Sequence, residues 1–162
     1  MLVSSGIGVY ILQNGTAIVT VIAYPQTRYA APDVVDITSP EARARLGPSA
    51  LKAFVNIAKL WRLRDEDAMQ LLGGVPSSTY YAMKKSGRRN LDADTMLRIS
   101  YLVGIFKALN ILHGKALADR WITLANQNPI FRGTTPLEYM IRGGIPAIQT
   151  VRRLLDARRG GI

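Results

Sequence analysis

DEDAMQLLGGVPSSTYYAMKKSG, residues 65–87, is the stretch from which the fold can be read. Asp65, Glu66 and Asp67 crowd the first turn of a helix, where the macrodipole favours negative charge. Gly73-Gly74 stops that helix, because glycine enters backbone angles that a Cβ forbids. Pro76-Ser77 opens a second short helix, which runs to Ser86 and is closed by Gly87. Two short helices around a glycine turn make a helix-turn-helix. The simplest form of the pattern has one turn glycine and a small residue where Met69 stands. Two glycines predict a turn one residue longer.

The second helix of the pair presents Ser77, Ser78, Thr79, Tyr80, Tyr81, Lys84 and Lys85, followed by Arg88 and Arg89. Hydroxyls at the start of a recognition helix bond base edges or phosphates, and lysine and arginine neutralise phosphates. These nine residues are the candidate DNA contacts. The bland alternative is a capped surface helix followed by a solvated run of charge.

Charge supports a polyanion or acidic partner. Residues 1–81 hold seven Lys/Arg and six Asp/Glu, whereas residues 82–162 hold fourteen and five, so the second half carries nearly all of the net +10. A field of that size steers association with nucleic acid or an acidic protein. Composition also excludes chemistry. There is no cysteine and a single histidine, His113, so thiolate sites, histidine metal clusters and a cysteine nucleophile are ruled out, and a serine triad would rest on His113 alone. Asp92 and Asp94 read as helix caps rather than paired catalytic carboxylates. The chain is expected not to be an enzyme.

Outward from the motif, apolar residues recur at three- and four-residue steps. Ser49 is expected to cap a helix to about residue 62, preceded by a short one from Pro40 to Leu46 with Ser39 as its cap. Asp92 is expected to cap a long helix over residues 93–113, and another is expected at 115–125 with Trp121 inward. A loop at 127–133 leads to Thr135-Pro136-Leu137-Glu138, a capping box with proline at the first helical position. That helix should end at Gly143-Gly144, and a last one should run over residues 146–158.

The N-terminal 48 residues are different. VYILQ (9–13) and TAIVTVI (16–22) flank Asn14-Gly15, the dipeptide of a type I′ turn. They read as a β-hairpin, or as a loosely ordered stretch before the true start; the residues leave both open. Prolines 25, 32, 40 and 48 mark a linker. The first basic residue is Arg28, so no charged signal-peptide start is present. Residues 3–23 are too interrupted by polar residues and glycine for a membrane span of about 20 apolar residues. The cytoplasm is the expected location. The expected domains are 1–48 (hairpin and linker), 49–113 (helix-turn-helix) and 114–162 (C-terminal domain).

From about residue 51 to 159 the chain resembles the Xre/MbcA/ParS antitoxin family. The resemblance rests on DAMQLLGGVPSSTYY (67–81), LDADTMLRI (91–99), Trp121, Asn126, FRGTTPL (131–137), Gly143-Gly144 and VRRLLD (151–156). It implies a mainly α protein: an Xre-like helix-turn-helix bundle plus a small α-helical C-terminal toxin-binding domain. It further implies an antitoxin of a type II toxin–antitoxin pair, which covers the active site of a RES-type toxin that consumes NAD or transfers ADP-ribose from it. Such antitoxins repress their own operon by binding operator DNA, form dimers and larger toxin–antitoxin complexes, and need no cofactor. The candidate toxin contacts are Arg142, Arg152, Arg153, Arg158 and Arg159, since arginine pairs well with carboxylates in a cleft. Dimerisation agrees with one helix-turn-helix reading only a half-site. On this reading, removal of residues 146–162 abolishes neutralisation and largely spares DNA binding. The alternative is a stand-alone repressor whose C-terminal domain only oligomerises.

Overall fold

The computed structural model describes residues 35–87 and 90–160. The expected hairpin over residues 9–22, linker residues 25–34, and Arg88 and Arg89 lie outside the described residues.

The described residues form helices and no strand. α1 (Pro40–Leu60) starts at Ser39, whose hydroxyl accepts from the Ala42 amide at 3.2 Å. The two expected helices here are one, because α1 runs through Pro48 without a break. Ser49 is no cap; its hydroxyl donates to the Leu46 carbonyl at 2.8 Å. A proline inside a helix removes one backbone bond. That loss is offset by the buried row Leu51, Phe54, Ile57 and Ala58, which holds the helix on the core.

α2 (Asp65–Leu71) and α3 (Ser77–Ser86) form the helix-turn-helix. Both turn glycines have positive φ, +99° at Gly73 and +77° at Gly74, and Gly87 ends α3 in the left-handed region at +60°. The small inward residue of α2 is Ala68, 1% exposed, while Met69 is half-buried. A Cβ on Gly73 would press on the Asp94–Arg98 ion pair of the next helix, so the turn is seated against that helix.

That next helix is α4 (Ala93–Leu112), capped by Asp92, which accepts from the Thr95 amide at 2.7 Å, and closed by His113. α4 is apolar nearly all round, as expected of a helix packed on several sides. It touches α1, α5 and α6. Ile99, Leu102, Ile105, Ala108 and Leu109 are at most 1% exposed. It is long and apolar enough to cross a membrane by composition, but those contacts make it the core helix of a helical bundle.

The helix expected over 115–125 is shorter: α5 (Lys115–Arg120) tightens into a 3₁₀ turn, Trp121–Thr123. Trp121 and Ile122 in that turn are both buried. The loop that follows is shaped by Asn126 and Asn128, whose side chains accept from the Asn128 and Ile130 amides. It delivers Phe131 edge-on between Trp121 and Tyr139 at 5.8 and 5.4 Å. α6 (Pro136–Arg159) opens with both halves of the Thr135–Glu138 capping box. It is broken at Gly144 (φ +60°, ψ −147°), where the sequence predicted an end, and resumes one residue later.

Candidate functional site

On α3, residues three and four apart share a face. Ser77, Tyr81 and Lys85 are exposed along one row, with Ser78 beside Ser77. Tyr80 and Met83 point the other way and are 2% and 6% exposed. Of the nine sequence candidates, Ser77, Ser78, Tyr81 and Lys85 therefore lie on the open face and Thr79 is half-buried. Tyr80 is a core residue and is not available to DNA.

Lys84 is held elsewhere. Its ammonium donates to Asp65 at 2.9 Å and lies 5.1 Å from the centre of the Tyr80 ring. Tyr81 donates its hydroxyl to the other oxygen of Asp65 at 3.0 Å. Bonds from Lys84 and Tyr81 hold the Asp65 carboxyl below the usual range, and the same bond to Asp65 raises the Tyr81 phenol. Lys85 pairs with no carboxylate among the described residues. Asp65 was read from sequence only as a dipole-favoured charge. Its partners are sixteen and nineteen residues away, which no local pattern reveals.

Burial and the nearby Asp65 charge push the Tyr80 phenol up from 10.0 to about 12. A raised acid favours its neutral form in the fold, so this contribution is complete below pH 10 and lost as the pH rises toward 12. The urea midpoint of the wild type should fall more steeply over that window than the midpoint of Tyr80→Phe. Parallel curves would show that Tyr80 titrates as it does in the unfolded chain.

The five C-terminal arginines do not form one patch. Arg142 lines a groove of about 650 Å³ with Arg132, Tyr139 and Pro146. Arg152 and Arg153 line another of about 540 Å³ between α6 and α4, with Tyr101, Lys107 and Asp156. Arg152 is tied to Asp156 at 2.7 Å and lies over Gly104, where a Cβ would collide with its guanidinium. Arg159 is 3.8 Å from the same carboxylate. No carboxylate among the described residues pairs with Arg142, Arg153 or Arg158, and all three are exposed. The sequence missed the Gly104 notch, because an isolated glycine inside a helix signals only a cost in propensity. No cluster of metal-ligating side chains occurs among the described residues.

Residues 41–104 match the family described as "Antitoxin Xre-like helix-turn-helix domain", and residues 107–161 match "Antitoxin Xre/MbcA/ParS C-terminal toxin-binding domain". The two matches meet inside α4. The chain is also 41% identical over 125 residues to the uncharacterized protein y4oB of Sinorhizobium fredii, covering 76% of this chain and 95% of that protein.

Proposed function

The chain belongs to the Xre/MbcA/ParS antitoxin family, and on that premise we propose that it neutralises a RES-type, NAD-consuming or ADP-ribosylating toxin and binds operator DNA to repress its own operon. The C-terminal region covers the toxin's active site, with Arg142, Arg153 and Arg158, exposed and paired with no carboxylate among the described residues, as the contacts most open to it. α3 is the recognition helix, reading DNA through Ser77, Ser78 and Tyr81 and neutralising phosphate through Lys85. The antitoxin acts in the cytoplasm as a dimer and within a larger toxin complex, without catalysis of its own. The observation that carries this reading is the union, in one chain, of a helix-turn-helix with an exposed hydroxyl-and-lysine face and a matched toxin-binding segment.

The truncation anticipated from sequence is not a clean test. Ile148, Val151 and Leu155 are fully buried, so removing residues 146–162 strips the core as well as the arginines. Charge reversal leaves the core intact. The tagged chain is purified with its partner from the native host, and NAD consumption is measured in the complex and after the two are separated in urea and refolded. The expected result is a silent complex and an active free partner. Arg142→Glu/Arg153→Glu/Arg158→Glu should weaken neutralisation at least about 10-fold while operator binding persists, as expected when charged contacts at an interface are reversed. A partner with no NAD-dependent activity rules out the RES assignment. Recovery of operator DNA without any stoichiometric protein favours the stand-alone repressor.

A further inference from the structure

One carboxylate at the start of α2, Asp65, holds two groups of the DNA-facing helix α3. Asp65 accepts from Lys84 at 2.9 Å and from Tyr81 at 3.0 Å. The Lys84 ammonium also lies 5.1 and 5.7 Å from the Tyr80 and Tyr81 ring centres, a distance at which a cation is attracted to the ring face. Its side chain is 33% exposed and that of Asp65 34%. Tyr81 is 51% exposed, with Ser77 and Lys85 one turn away on either side. A lysine so engaged has already exchanged much of its hydration for protein partners. It releases few counterions when a phosphate arrives, unless it first breaks from Asp65.

Building on the DNA-binding reading above, we propose that Asp65 is a positioning residue of the DNA interface. Its carboxylate fixes the Tyr81 phenol on the open face of α3 and withholds the Lys84 ammonium from phosphate, leaving Lys85 as the phosphate-neutralising lysine of that helix. The two adjacent lysines, indistinguishable in sequence, thus have different tasks: Lys84 braces α3 against α2, and Lys85 meets the polyanion.

The test is the salt dependence of binding to operator duplex, with the full-length protein. The slope of log K against log salt changes by about 0.9 for each phosphate neutralised. Lys85→Ala should flatten the slope by about that amount, and Lys84→Ala should leave it unchanged. Asp65→Asn should steepen it by a similar amount, because Lys84 is freed, and Asp65→Asn/Lys84→Ala should restore the wild-type slope. A purely structural brace would change stability and leave the Asp65→Asn slope at the wild-type value, which overturns the proposal. So does a steeper slope that survives in the double variant, since the effect then belongs to the lost negative charge. Should Asp65→Asn fail to fold by circular dichroism, Lys84→Ala alone decides: a slope flattened as in Lys85→Ala sinks the proposal. A wild-type protein without salt-dependent DNA affinity would instead refute the DNA reading itself.

Discussion

Leu102→Ala is expected to lower the free energy of unfolding by about 2–5 kcal/mol, the usual cost of emptying a fully buried leucine site. Leu102 is 0% exposed on α4, the helix that α1 and α6 both pack against. A domain of this size is stable by about 5–15 kcal/mol, so the loss is a large share of the total. The cavity lies where the helix-turn-helix match and the toxin-binding match meet. Both parts should therefore melt together. Trp61 reports on the first and Trp121 on the second, and both are buried. In urea, the tryptophan fluorescence and far-UV circular dichroism of Trp61→Phe should trace one coincident transition, as should those of Trp121→Phe, and adding Leu102→Ala should lower the midpoint of each by a similar amount. Two separated transitions, only one of them moved, would mean that α4 does not couple the parts.

Gly144→Ala is the second large effect. At φ +60° and ψ −147° the backbone is in a region close to glycine-only, and holding another residue there costs on the order of 1–3 kcal/mol. Relief comes only by straightening α6, which would carry Pro146–Arg159 away from α4 and drag Ala147, Ile148, Val151 and Leu155 out of the core. Gly143 allows no slack in the same place, because a Cβ there would lie 2.5 Å from that of Ala147. The variant should lose stability by about that much and bind the partner more weakly, since the arginines after the break move with the helix. Gly160→Ala is the control: its φ is −73°, its nearest neighbours are 3.6 Å away, and its stability should be unchanged. Equal thermal midpoints for Gly144→Ala and the wild type would show that the break is not imposed by this residue.

The helix-turn-helix could be read directly, because every signal in it is local. Asp65, Glu66 and Asp67 answer the dipole of their own turn, Gly73 and Gly74 supply their own positive φ, and Gly87 closes the helix it follows. The caps at Asp92 and Thr135 were legible for the same reason, each acting within three residues. Pro48 was misread because a local rule met a distant force: the burial of Leu51, Phe54 and Ile57 against α4 outweighs one missing hydrogen bond.

The candidate sites divide along the same line. Residue type and order showed which helix carries hydroxyls and lysines, and that the basic charge gathers in the second half. They could not show that Tyr80 turns inward while Tyr81 stays open, since adjacent residues on a helix differ in direction only once a neighbouring helix occupies one side. Nor could they show that Lys84 belongs to Asp65 or that Arg152 rests on Gly104, pairings that span nineteen and forty-eight residues. Turns, caps and periodicity are written in neighbouring residues. Which side chain is buried, paired or left free for a partner follows from packing, because burial and ion pairing depend on what the rest of the chain brings alongside.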